Sequence, residues 1–170
     1  MSTVRIAGGT GLIGTAFSRM LMAGGHRFVI LSRAAHGAAG DVAHWDPYKE
    51  VLDAEAIRSA DFIVHLAGAG VGDKRWTRRR NKAIVESRVR SSALVVKALK
   101  EIPNKVQAVV SASGIGWYGP DPSIPNPRPF VEADPVDDDF LGETCRLWEE
   151  SIMPVTTLGK RLVILRTGLV

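Results

Sequence analysis

Gly8, Gly11 and Gly14 follow one another at every third position, closing the apolar run Arg5-Ile6-Ala7 and opening an amphipathic one. That spacing suits the cradling of a phosphate. Gly8 turns tightly off a strand, Gly11 lets backbone approach a pyrophosphate, and Gly14 lets the following helix lie close to the sheet. The helix N-terminus behind Thr10, Leu12 and Ile13 then turns unpaired N–H groups and a positive dipole toward the anion. Gly-rich turns are common, so the triplet needs its context. The context is present: Leu12, Ile13, Ala16, Phe17, Met20 and Leu21 recur at helical spacing, Gly24-Gly25 supplies a stop, and Arg27 to Leu31 reads as a second strand. The whole is one βαβ unit.

The end of that second strand selects between dinucleotides. An NAD site places Asp or Glu there for the ribose hydroxyls, but this chain has Ser32-Arg33 and no carboxylate before Asp41. Ser32 can donate to a 2′-phosphate, and Arg33 can pair with it while stacking on adenine. The reading is therefore NADP, with NAD less favoured; the bland alternative makes Arg33 a solvated loop cation.

These residues need a sheet to hold them. Val42 to Trp45 reads as a third strand, Asp53 to Ser59 as a short helix, and Asp61 to Gly68 as a buried strand ending in small residues. Leu66, Ala67 and Gly68 then lie at the carboxyl edge, where open α/β sheets bind ligands. His65 reads as a satisfied core histidine. A long helix from Thr77 to Glu101 carries Ile84, Val85, Val89, Val96 and Leu99 on one stripe. Val106 to Ser113 is another strand, leading into Gly114 to Gly119. Six of the nine prolines fall between Pro120 and Pro135, marking an extended and poorly ordered surface loop. Phe140 to Met153 is a further helix and Arg161 to Arg166 a last strand. The alternation implies one α/β domain over residues 1–170, a doubly wound parallel sheet of Rossmann type.

Composition excludes several classes. No apolar run is long enough for a transmembrane helix, and the N-terminus enters a strand with no basic-then-apolar leader, so the expectation is a cytoplasmic protein with no membrane role. Cys145 is the single cysteine, which rules out an internal disulfide and reads as a helix-packing residue. The four histidines show no paired spacing, so no metal site is expected. The net charge of +4 hides an asymmetry: Lys74 to Lys100 holds ten Lys/Arg against Glu86, while Glu132 to Glu150 holds eight acids against Arg146. Base-stacking aromatics are absent from the basic stretch apart from Trp76, so it reads as a solvated face or a partner surface for the acidic segment, not as a nucleic-acid site.

Trp45-Asp46-Pro47, His65 to Ala69, Arg75-Trp76-Thr77, Glu86 to Val89, Ser111-Ala112-Ser113, Trp117-Tyr118-Gly119 and Cys145 to Glu149 together resemble the conserved blocks of atypical extended short-chain dehydrogenase/reductases. Within these, the finer resemblance is to the NAD(P)-dependent epimerase family, similar to nucleoside-diphosphate-sugar epimerases. The resemblance implies that Gly8, Gly11, Leu12, Ile13 and Gly14 hold the pyrophosphate, Ser32 and Arg33 the 2′-phosphate, and Leu66, Ala67 and Gly68 the cofactor wall. It places the catalytic hydroxyl at Ser113, and it implies an oxidoreductase or isomerase acting on a small-molecule substrate, with a homodimer formed through the long helix.

Two departures from the pattern matter. The superfamily's Tyr-x-x-x-Lys belongs on the helix after the Pro-rich loop, yet Phe140 to Cys145 contains neither Tyr nor Lys. Tyr118 is the nearby phenol, read as packing or substrate contact ahead of catalysis, and Glu132 or water is the substitute base. The superfamily also places a substrate lobe after the strand Leu162 to Arg166, so the 170 residues are expected to be a nucleotide-binding half, with an exposed apolar face that favours association. The alternative to an enzyme is an NADP(H)-responsive regulatory module that uses the basic helix as its partner face.

Overall fold

The computed structural model describes residues 1–34 and 41–168. Seven strands form one sheet in the order β4-β3-β2-β1-β5-β6-β7. They are β1 (Thr3–Ala7), β2 (Arg27–Ser32), β3 (Asp41–Asp46), β4 (Val51–Leu52), β5 (Phe62–His65), β6 (Ala108–Gly114) and β7 (Arg161–Thr167). Every neighbouring pair is parallel except β3 with β4, which meet antiparallel at Trp45↔Leu52 and Asp46↔Val51. The strand order reverses at β1, between β2 and β5, and an open α/β sheet has its binding crevice at such a reversal. The doubly wound reading therefore stands, with the two-residue β4 added at one edge. Two residues are too few to show a period.

Helix α1 (Leu12–Ala23) covers one face, its Phe17 and Leu21 packing on Val4, Ile6, Phe28, Ile30 and Val64. The other face carries α2 (Ala54–Arg58), α3 (Arg78–Glu101) and α4 (Phe140–Ile152), where Ile57, Leu94, Val95, Ala98 and Ile152 close over Ile63 and Val109. Strand alternation explains the division, since Val109 and Val110 belong to opposite cores. On β7, Leu165 is 46% exposed, which leaves apolar surface open at that end of the sheet.

The caps fix where the helices begin. Asp53 accepts from the Glu55 and Ala56 amides, Thr77 Oγ1 from Arg80 N at 3.1 Å, and Asp139 Oδ1 from Gly142 N at 2.6 Å. Side-chain oxygens at these positions satisfy amides that the helix leaves unpaired. The Pro-rich loop differs from its sequence expectation, being tied down at several points. Trp117 Nε1 donates to Asp134 O at 2.9 Å, Arg128 pairs with Asp134 at 2.8 Å, and Arg166 Nη1 donates to Glu132 O at 3.0 Å. Among the described residues no helix is long and apolar enough to cross a membrane.

Candidate functional site

The loop from β1 to α1 owes its shape to two of its glycines. Gly8 has φ +84°, and a Cβ on it would lie 2.7 Å from the Leu66 carbonyl carbon and 2.9 Å from Ala67 N. A Cβ on Gly14 would lie 2.6 Å from Gly9 Cα, so α1 approaches the loop as closely as backbone allows. Gly11 differs. It caps α1 in an extended conformation, and a Cβ there would meet only the Gly8 carbonyl oxygen, at the ordinary distance of 3.4 Å. The chain's own packing does not require a glycine at 11. The first turn of α1 has no side-chain cap, and Thr10, Leu12 and Ile13 are exposed, Leu12 at 72%.

Ser32 ends β2 with its Oγ accepting from Ala34 N at 3.2 Å, and Arg33 beside it is exposed. Leu66 continues β5 beside β1, its amide donating to Ala7 O at 2.7 Å. Ala67 and Gly68 follow along the same edge. The structure thus brings the glycine loop, the end of β2 and the end of β5 to one side of the sheet. Residues 35–40, next to Arg33, lie outside the described set.

A second cluster stands at the ends of β6 and β7. Ser113, 3% exposed, donates from Oγ to Glu149 Oε1 at 2.7 Å. Arg166 grips the same carboxylate through Nε at 2.9 Å and Nη2 at 2.9 Å, a two-pronged charge-assisted contact. Its Nη1 donates to Tyr118 Oη at 3.1 Å, and its Cζ lies 3.7 Å from the centroid of the Trp117 ring. Pairing with Glu149 pushes the Arg166 guanidinium further above its already high value, so it stays charged. Tyr118 also stacks on Phe130 with centroids 5.0 Å apart. Ser113 and Tyr118 are therefore joined through Glu149 and Arg166, neither of which the sequence reading singled out for chemistry. A signal for Glu149 existed in the Cys145 to Glu149 block; Arg166 had only its place at a strand end.

The face of α4 next to this cluster answers the question of the missing Tyr-x-x-x-Lys. A Cβ on Gly116 would lie 2.9 Å from Leu141 Cβ, and one on Gly114 would lie 3.6 Å from Cys145 Sγ. Leu141 and Cys145, one turn apart on α4, stand against Gly116 and Gly114, and Glu149 one turn further on meets Ser113. Burial pushes the Cys145 thiol up from its usual value, so no thiolate stands there either.

His65 is fully buried between Trp45 and Trp148, both edge-on to it. Its Nε2 lies 2.8 Å from Ser91 Oγ and its Nδ1 3.2 Å from Ser111 Oγ. Ser91 spends its own proton on Arg88 O at 2.9 Å, which assigns the ring proton to Nε2. Burial first, and the nearby Arg88 charge second, push the imidazole down to about 4. It is neutral and structural.

The basic stretch needs a correction. It is not simply a solvated face, because Arg80 and Arg88 turn inward: Arg80 donates to Gly70 O, and Arg88 is buried. Nor does the acidic segment answer it: among the described residues no ion pair joins the two, and Arg146 pairs with Glu143 and Glu150 on its own helix. Among the described residues no three His, Cys, Asp or Glu gather as a metal site.

Comparison with known proteins agrees with the fold. The epimerase family protein ML0860 of Mycobacterium leprae is 31% identical over 171 residues, covering 99% of this chain and 53% of that protein. A nucleoside-diphosphate sugar epimerase structure from Corynebacterium glutamicum superposes with a TM-score of 0.78 at 33% identity, covering 97% of this chain and 33% of that one. The human epimerase family protein SDR39U1, solved with NADPH, superposes with a TM-score of 0.79 at 28% identity, covering 96% of this chain and 52% of that one. The chain spans about half the length of the curated relatives it matches. The sequence profile of the NAD dependent epimerase/dehydratase family matches residues 4–139, and the chain belongs to that family.

Proposed function

We propose that the chain binds NADP(H) along the edge formed by the glycine loop and the ends of β2 and β5, as the nucleotide-binding part of an epimerase- or reductase-type enzyme. The observation that carries this reading is Gly11. Gly8 and Gly14 are glycines because the fold leaves them no room, whereas the space at Gly11 is left free at an uncapped helix N-terminus. A pyrophosphate fits there, with backbone amides as donors. Ser32 and Arg33, with no acid beside them in sequence, suit a 2′-phosphate, and the likeness to a human relative solved with NADPH supports the same choice. The bound cofactor supplies hydride transfer.

Toward a substrate, Ser113 retains its oxygen lone pairs while its proton is committed to Glu149. Tyr118 is complementary to it. Arg166 occupies an oxygen lone pair, leaving the phenolic proton to be donated. This pair of hydroxyls suits a substrate carrying a carbonyl or hydroxyl, the group interconverted by oxidoreductases and epimerases. Unchanged turnover in Ser113→Ala would remove its role. The second reading, a non-catalytic NADP(H)-responsive module, is favoured by Leu141 and Cys145 standing where α4 faces β6.

Calorimetric titration with NADPH and NADH tests the cofactor. Arg33→Glu is expected to weaken NADPH by at least about tenfold, the scale of a lost charge-assisted contact, and to leave NADH nearly unchanged. Equal NADPH affinity in the variant would end the 2′-phosphate assignment. Gly11→Ala is expected to keep its thermal stability within about 1 kcal/mol and lose most of its affinity for either cofactor. Gly14→Ala should lose both stability and affinity, so a Gly11→Ala protein that binds normally would argue against the pyrophosphate site.

A further inference from the structure

Arg88 projects from α3 and is only 9% exposed, yet no carboxylate pairs with it among the described residues. Its Nη1 donates to Ala69 O at 2.9 Å and Ile84 O at 3.0 Å, and its Cζ lies 4.8 Å from the centroid of the Trp148 ring. A Cβ on Gly68 would lie 3.0 Å from that Cζ. The glycine at 68 thus admits a guanidinium against the end of β5, beside the edge proposed to hold the dinucleotide.

The other inward-turned arginines are compensated differently. Arg166 has Glu149 and Arg80 has Asp73. Arg5, buried on β1, donates to Ala56 O and Ser59 Oγ, and although burial and the Arg27 charge weigh against its cation, Asp53, Asp61 and Asp41 offset part of that. Burial weighs most on Arg88, and the titratable groups near it are the uncharged Cys145 thiol and another cation, Arg80. Arginine does not shed its proton in such a setting, and carbonyl dipoles and an aromatic face hold it without cancelling its charge.

We infer that Arg88 is a fixed positive charge of the dinucleotide site in addition to Arg33, brought from α3 to the end of β5, and that it biases the site toward the reduced nicotinamide. This rests on the NADP(H) reading above. An oxidised nicotinamide ring carries a positive charge and a reduced one does not, so a nearby guanidinium disfavours the oxidised form alone. A residue that merely supports the fold would alter both affinities together. Arg88 is accordingly a residue that acts through its field.

The test measures dissociation constants for NADP+ and NADPH in parallel, by calorimetry or by fluorescence of the reduced cofactor, on the wild-type chain, Arg88→Met and Arg88→Lys. The ratio Kd(NADP+)/Kd(NADPH) is expected to fall about fivefold in Arg88→Met, the size of one unit charge acting over roughly a side-chain length in a partly screened site. Arg88→Lys should keep most of the wild-type ratio. If Arg88→Met does not fold, Arg88→Gln keeps N–H donors for Ala69 and Ile84 without the charge and serves in its place. An unchanged ratio in a folded, cofactor-binding uncharged variant overturns the inference and leaves the NADP(H) reading standing. A wild-type chain that binds neither form overturns both.

Discussion

Glu149→Gln is expected to lower the melting temperature by about 6–12 °C, the equivalent of about 3 kcal/mol in a domain of this size. Glu149 and Arg166 have side chains only 11% and 15% exposed, and the carboxylate receives both guanidinium donors and the Ser113 hydroxyl. Glutamine keeps one acceptor but turns an amide N–H toward the guanidinium, leaving a largely buried charge facing a donor. Removing one partner of such a pair is costly even where the intact pair adds little net stability, because desolvation of the survivor is no longer offset. The loss should be shared with Arg166. A cycle with Arg166→Met, measured by urea unfolding, is expected to show coupling of at least about 2 kcal/mol. Additive single effects would mean that the two side chains act independently and that the cluster is not one unit. Ser113 and Tyr118 should also lose their fixed orientations in Glu149→Gln, so any turnover should fall more than stability alone explains.

Acid is expected to destabilise the protein through His65. Its folded value of about 4 lies below the ordinary 6.5 of an exposed imidazole. Between these values the unfolded chain binds the extra proton, so stability rises with pH across the window. The contribution is fully present above about pH 6.5 and is lost as pH falls toward 4. The shift corresponds to about 3 kcal/mol. Carboxylates titrate in the same range, so the effect must be isolated by difference. The change in unfolding free energy between pH 7.5 and 4.5 should be about 2–3 kcal/mol larger in the wild type than in His65→Gln. Equal changes would mean that the imidazole is hydrated or charged in the folded protein.

What the sequence disclosed follows the range of the interactions involved. Gly8, Gly11 and Gly14 were legible because their spacing is a property of one turn, and α3 was legible from its apolar stripe, although the cap at Thr77 was not read. His65 was legible as a core residue from the apolar strand around it. The glycines' division of labour was legible too, Gly8 for the turn, Gly14 for the close helix and Gly11 for the open space, but the contact of Gly8 with Leu66 and Ala67, far along the chain, was not. The second cluster was hidden for the same reason: Ser113, Glu149 and Arg166 come from β6, α4 and β7, and no local pattern states which arginine a glutamate will meet. Arg88 was read as one cation among ten, since charge counting does not tell which side of a helix meets Trp148. The Pro-rich loop misled through composition. Its anchors at Asp134 and Glu132 depend on Trp117 and Arg166 from outside it.

The strand order carries a consequence in time. Strand β1 can pair with β2 across one helix, Thr3 meeting Arg27, but its other neighbour arrives much later in the chain, Val4 meeting Phe62. The pairing of β6 with β7, Ala108 with Arg161, spans a loop and a helix again. Chain closure over longer separations is slower. The strands flanking the glycine loop therefore belong to the portion that can pair first, and the Ser113–Glu149–Arg166 cluster to a portion that waits for a longer closure. A chain caught midway holds β1 and β2 paired on either side of the glycine loop, with Leu66 and Ala67 not yet against Gly8.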